Sequence, residues 1–218
     1  MATAQRKPAE RKTRTRLEVD ERKSQLLALG IRVFSERSYD EVSIDDLAKA
    51  AGISKGLLYH YFPTKRDFYV AALSQAAASL LAQTLAADSA PPEERVRLGL
   101  ETYFDFVEQH EAAYLALMRG GIGSDPEVFG ILERTRATFV ERILAEIPAP
   151  ASPLLHTMLR GWIGFVEATS AEWLARSGVT REELVPRIGA VLAQCVALGA
   201  ASAPEPAARP ARARVRKG

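Results

Sequence analysis

Cysteine is all but absent. Cys195 stands alone in a chain of 218 residues, so no internal disulfide and no cysteine-based zinc site can form within it. Histidine is almost as scarce, with three residues in separate segments, which leaves little material for acid–base or metal chemistry. No apolar stretch reaches the roughly 18 residues of a membrane span. The N-terminus is basic but has no apolar segment behind it, so it does not read as a secretory signal. Strand-like alternation of useful length, internal repeats, a glycine-rich phosphate loop between strand and helix, and a nucleophile elbow are all missing. These absences point to a cytoplasmic protein with no metal, no cofactor and no enzymatic activity.

What is present is helix and segregated charge. Apolar residues make up 47% and charged residues 26% of the chain, an ordinary globular balance. The net charge of +2 hides an asymmetry. Residues 1–16 carry six Lys/Arg against one Glu, a net +5, and residues 204–218 carry five against one, a net +4. The remainder therefore sums to −7 (2 − 5 − 4). Basic ends on an acidic body suit a polyanion, because each lysine or arginine set on a phosphate releases counterions. Residues 1–20 and 201–218, low in large apolar side chains, are expected to be disordered arms.

Between the arms, helix signals follow one another. Leu27, Ile31 and Phe34 fall on one helical face. Ser43 and Asp46 have capping-box spacing and open a helix that stops at Gly52. Ser54 caps a third helix, ended by Pro63, and Thr64 with Asp67 repeats the cap at the start of a long fourth helix to about residue 87. After the break at Pro91-Pro92, helices fit 93–110, 111–119, 126–147, 154–177 and 181–200, the last entered through Thr180 with Glu183 as its box partner. The expectation is an all-α protein of about nine helices.

Residues 43–62 form a short helix, a turn containing Gly52 and a second short helix, the helix-turn-helix pattern whose second helix enters a DNA major groove. At 100° per residue, Leu58 and Phe62 share an inward stripe. Gly56, Leu57, Tyr59 and His60 face away from it, with Tyr61 on the flank. Tyr and His tips suit phosphate oxygens and base edges, and Leu57 suits a thymine methyl. Gly56, which costs helix stability, makes sense where backbone approaches DNA closely. Ser54 and Lys55 sit at an anion-favouring helix N-terminus; Lys65 and Ser43 stand at the starts of two others.

The stretch SIDDLAKAAGISKGLLYHYFPTKRDF resembles the DNA-binding signature of TetR-family transcriptional regulators, and QLLALGIRVFSERSYDEVS is similar to the helix preceding it. The match is dense over residues 21–70. The resemblance implies a homodimeric all-α repressor: a helix-turn-helix domain over 21–67, then a larger ligand-binding and dimerisation domain over 68–200. Carried over by position, Ser43, Ser54, Lys55, Gly56, Leu57, Tyr59, His60, Tyr61 and Lys65 face operator DNA, while Leu47, Ala48, Ile53, Leu58 and Phe62 hold the module together. Ser38 departs from the family pattern, which has a glycine at the end of the first helix; a strained or loosened corner is the expected consequence.

In the C-terminal two-thirds, aromatic and large apolar residues either fill a core or line a cavity. Tyr103, Phe106, Tyr114, Met118, Phe129, Met158, Trp162 and Phe165 are candidate contacts for a small apolar effector, with Glu167, Arg119, Arg160 and His156 as polar candidates. Met158, Trp162 and Phe165 form one stripe of their helix, and Leu155, Leu159, Ile163 and Val166 another, so that helix is expected to be buried on two sides. In the last helix Leu184, Ile188, Val191, Leu192 and Cys195 form a large stripe, with Gly189 and Ala193 on a smooth strip beside it. Pairing of these two helices between copies would give a four-helix bundle and a homodimer. The competing readings are a ligand-independent architectural DNA binder and an enzyme with an all-α cavity.

Overall fold

A computed structural model describes residues 8–85, 90–119, 122, 125–148, 152–176 and 178–200. Among the described residues there are nine α-helices and no strand: α1 (Pro8–Glu36), α2 (Ile44–Ala50), α3 (Lys55–Tyr61), α4 (Lys65–Leu85), α5 (Pro92–Gln109), α6 (Glu111–Met118), α7 (Pro126–Glu146), α8 (Pro153–Ala175) and α9 (Arg181–Ala200). Residues 8–20, expected to be part of a disordered arm, belong instead to α1. The reason is local: Pro8 suits a first helical position, and the Glu/Lys/Arg-rich run behind it consists largely of good helix formers. Residues 1–7 and the expected tail, 201–218, lie outside the described residues.

The expected caps are in place. Ser43 and Asp46 form a reciprocal capping box, Thr64 accepts the Asp67 N–H and donates its hydroxyl to the Asp67 carboxylate, and Thr180 and Glu183 bond reciprocally at the entry to α9. Gly52, at φ +63°, ends α2: its N–H donates to the Lys49 carbonyl, and that of Ile53 to the Ala48 carbonyl. This is a Schellman ending, and the left-handed conformation is why glycine stands there. Ser38 does not strain its corner. Its N–H and hydroxyl both donate to the Glu41 carboxylate at 2.8 Å, and no described residue other than glycine has a positive φ.

The buried apolar residues gather into two cores. The first joins α1–α4 around Leu26, Phe34, Leu47, Leu58, Phe62 and Phe68, and takes in Val128 and Ile131 of α7. The second gathers Leu100, Phe104, Val140, Leu155, Trp162 and Ile188 from α5, α7, α8 and α9. The long α4 serves both ends: Phe68–Ala72 pack with α1, and Leu80 and Thr84 are buried further along. Thus the expected boundary near residue 67 is not a break in packing.

Two contacts set how closely helices approach. A Cβ on Gly30 would stand 2.7 Å from the Phe68 ring, and one on Gly199 2.7 Å from the Leu155 backbone. Glycine therefore lets α1 close on α4, and α9 on α8. Although neither is an uninterrupted apolar run, α4 and α9 are also long and apolar enough to cross a membrane by length and composition. Here α4 packs against α1, α5 and α7, and α9 packs on α8 and α5.

The dimer expectation needs correction on both last helices. Leu155, Leu159, Ile163 and Val166 are buried within the chain, as are Ile188 and Leu192. Leu184 and Cys195 are half-buried against that same core, and Gly189 looks toward Val96 of α5. α8 is apolar on two sides because one side meets its own chain's α9. Its outward side carries Leu154, Gly161 and Phe165, and that of α9 carries Val191, Ala193 and Leu198, all exposed.

Candidate nucleic-acid interface

Leu58 and Phe62 anchor α3 in the first core, which turns the rest of the helix outward. Lys55, Gly56, Leu57, Tyr59 and His60 are exposed, with Leu57 and Tyr59 each 41% accessible. Tyr61 is half-buried on the flank, its ring edge-on to His60 at 5.6 Å. Nothing lies within 4 Å of where a Cβ on Gly56 would be. A glycine in open space, inside a helix, has no packing reason to be there.

The other predicted residues are in part engaged by the chain itself. Ser54 accepts the Leu57 N–H at 3.2 Å, and Ser43 accepts that of Asp46 at 3.1 Å. The Ser43 N–H and hydroxyl hold the Asp46 carboxyl below its ordinary value. Lys55 meets Asp45 at 2.9 Å on the open surface, a hydrogen-bonded pairing that raises the lysine's pKa. A phosphate reaching Lys55 would share the ammonium with Asp45 or displace it. Lys65 does not point outward as expected. Its ammonium donates to the Tyr39 carbonyl at 2.9 Å and the Val42 carbonyl at 3.1 Å, and lies 4.0 Å from the centre of the Tyr39 ring. It ties the corner between α1 and α2 to the start of α4.

Sequence reasoning missed the links between the module and the helical body. Arg66, beside Lys65, donates to both Asp125 oxygens at 2.6 Å and to Glu127 at 3.0 Å. The guanidinium holds the Asp125 carboxyl down at about 2. Asp125 also caps α7, so one carboxylate joins the start of α4 to the start of α7. His110, between α5 and α6, meets Ser35 of α1 through Nδ1, and burial keeps its pKa below the ordinary value. The Ser35 hydroxyl donates to the Ile31 carbonyl, so it accepts from Nδ1–H. No sequence signal could find these pairs, whose partners lie 59 and 75 residues apart.

Of the candidate effector contacts, the structure brings together Tyr103, Tyr114 and the backbone of Glu167. The two hydroxyls are 2.7 Å apart, and the Tyr114 hydroxyl donates to the Glu167 carbonyl and lies 2.7 Å from Ser170 Oγ. Burial pushes both phenols up in pKa. The Glu167 carboxylate accepts from Arg136 at 2.8 Å; Arg136 and Arg160 both reach Glu133. Phe106 stacks edge-on against His110, Trp162 donates to the Ile188 carbonyl, and Met118 and Met158 are half-buried. Phe129 and Phe165 are corrections: 53% and 41% accessible, they lie on the surface rather than in an interior. Each belongs to the outward side of a helix whose inward side is filled by other residues. His156 and Arg119 are exposed as well.

A capped helix-turn-helix with its second helix turned out, continuous through one long helix with an all-α body, is the architecture of helical DNA-binding regulators. Residues 26–72 match the bacterial regulatory proteins of the tetR family, and residues 92–194 match the tetracyclin repressor-like C-terminal domain. The chain is 31% identical over 160 residues to the transcriptional regulator AcuR of Cereibacter sphaeroides, covering 65% of this chain and 73% of AcuR. It is 32% identical over 115 residues to the transcriptional activator FasR of Mycolicibacterium smegmatis, and there it spans only about half the relative's length, 52%. A solved tetR-family regulator from Streptomyces coelicolor superposes with a TM-score of 0.70 at 32% identity, over 82% of this chain and 90% of that one. The chain belongs to the TetR family.

Proposed function

We propose that the protein is a sequence-specific DNA-binding transcriptional regulator acting as a homodimer, with an affinity for its operator that a small, mostly apolar effector lowers. The observation that carries the DNA reading is the outward face of α3: Leu57, Tyr59 and His60 exposed beside an unpacked Gly56. An exposed leucine and tyrosine on a short helix anchored by Leu58 gain nothing in an isolated chain. In a major groove they meet base edges and methyl groups. Ser54 and Lys55 stand at the helix start beside them, where phosphate oxygens are favoured.

The dimer reading is supported by the exposed apolar sides of α8 and α9, centred on Phe165 and Val191. Two such faces together make a four-helix bundle and set two recognition helices at a fixed separation. The effector reading is supported by the Tyr103–Tyr114–Ser170 cluster with its Glu167–Arg136 pair, polar groups converging in an apolar domain. Those groups now satisfy one another, so an effector must exchange their partners. Control works only as far as the effector prefers one separation of recognition helices over another.

The test is selection of duplexes from a randomised pool by the full-length protein. A two-fold symmetric sequence is expected, with half-sites about 34 Å apart or a multiple of that. Enrichment of nothing, or of unrelated sequences bound equally well, contradicts the reading and favours an architectural DNA binder. With the selected duplex in hand, screening metabolites for a rise in thermal stability together with release of DNA identifies the effector. A reporter gene behind that sequence gives the sign of control: loss of the protein raises expression if it represses.

A further inference from the structure

We propose that Asp45, held against the start of the recognition helix by Lys55, is a specificity-determining residue: its carboxylate accepts a hydrogen bond from the N4 amino group of a cytosine in the major groove. This rests on the DNA-binding reading above and adds to it a residue of α2, the helix in front of α3.

The carboxylate is not needed to close α2. Ser43 and Asp46 make the capping box between them, and Asp45 takes no part in it. A negative charge in the first turn does favour a helix, but Asp46 already stands there. The Asp45 side chain is 70% exposed. Its partner is Lys55, whose ammonium lies 2.9 Å from Oδ1 and 3.0 Å from Oδ2. On an open surface such a pair contributes little to stability.

That partner fixes where the carboxylate stands. Lys55 is the first residue of α3. In a helix-turn-helix the N-terminal residues of the second helix meet base edges, while the first helix crosses the backbone. A carboxylate bonded to the Lys55 ammonium therefore lies at the base-reading end of α3. Tyr59, four residues along from Lys55, is its neighbour on the helix surface and is exposed with it. Asp45 extends that outward face across to α2.

Charge decides which base it meets. Phosphates repel a carboxylate, so an acid at this face needs a donor on a base edge. The major groove supplies two, the amino groups of cytosine and adenine. Adenine sets an acceptor, N7, beside its amino group, which disfavours a group that only accepts; cytosine does not. Lys55 stays as the counter-charge. An ionised Asp has about four acceptor sites, and the ammonium engages one on each oxygen, which leaves room for the amino group.

The experiment selects duplexes from a randomised pool with the full-length wild type, Asp45→Ala and Asp45→Asn in parallel. Affinity is then measured on the duplex the wild type selects, on that duplex with the cytosine of each half-site changed to thymine, and on a scrambled duplex. The wild type should require a cytosine at one position of each half-site. Asp45→Ala should lose that preference alone, erasing a discrimination of about 5-fold or more per half-site. Its binding to the scrambled duplex should hold or rise. Asp45→Asn should move the preference to adenine, whose N7 and N6 suit an amide. Unchanged preferences in both variants overturn the proposal and leave the α3 reading intact. So does a change of affinity equal on all three duplexes, the mark of a carboxylate that only restrains Lys55. Preference lost at a pair other than C·G overturns the cytosine assignment, and failure of the wild type to select any duplex overturns both readings. Both variants should melt close to the wild type, since the α2 cap and the first core are built from other residues. Asp45→Asn keeps the side-chain shape and stays informative should alanine loosen the helix.

Discussion

Gly56 separates stability from function at a single residue. Its added methyl meets nothing, so Gly56→Ala should stabilise the free protein by about 0.5–1 kcal/mol through helix propensity alone. If α3 lies close against DNA, the same methyl should weaken binding. A higher melting temperature with poorer DNA binding is the expected pair of results; unchanged binding would remove the close backbone approach. Lys65 behaves in the opposite way. With its ammonium shared by two carbonyls, Lys65→Ala should lower stability by about 1–2 kcal/mol. Its effect on the salt dependence of DNA binding should be small. His110 gives a pH signature. Burial depresses its pKa, so the unfolded chain takes the proton more readily. The stability it contributes is full above about pH 6.5 and falls as the pH drops toward the depressed value. Thermal melts of His110→Asn should lose that part of the acid sensitivity.

At the scale of elements, the closeness of helix pairs makes firm demands. Gly199→Ala would push against the Leu155 backbone, which cannot rotate away, and should cost about 1–3 kcal/mol despite the gain in helix propensity. Gly30→Ala meets a fully buried Phe68 ring and should behave likewise. The junction of α4 and α7 rests on Arg66 and Asp125. Because the Asp125 carboxyl is held down at about 2, its contribution is present above the ordinary carboxylate value, near pH 4, and is lost as pH falls toward 2. Arg66→Gln should remove that acid-sensitive part of the melting curve. Periodicity and capping residues make the nine helices and the two faces of α3 legible, since both are local properties of the chain. The two sides of α8 are not: Leu159 and Phe165 are equally apolar, and only the position of α9 decides which is covered. The roles of Lys65 and Arg66 are hidden for the same reason, their partners lying 23 to 61 residues away.

For the whole molecule, the proposed dimer pairs the uncovered faces of α8 and α9. Phe165→Asp leaves both cores intact and should convert a dimer into a monomer by light scattering; a variant that stays dimeric at micromolar concentration would move the interface elsewhere. A monomeric protein could still engage one half-site but would lose the fixed spacing that selects a symmetric operator. The claim on which the rest depends is that the outward face of α3 reads DNA, and the most direct measurement repeats the duplex selection with Leu57→Ala and Tyr59→Ala. Both residues are exposed, so both variants should melt like the wild type. Leu57→Ala should change the preference at one base pair of each half-site, and Tyr59→Ala should weaken binding by about 1–3 kcal/mol. The same enriched sequence, bound with the same affinity by both variants, would contradict the assignment.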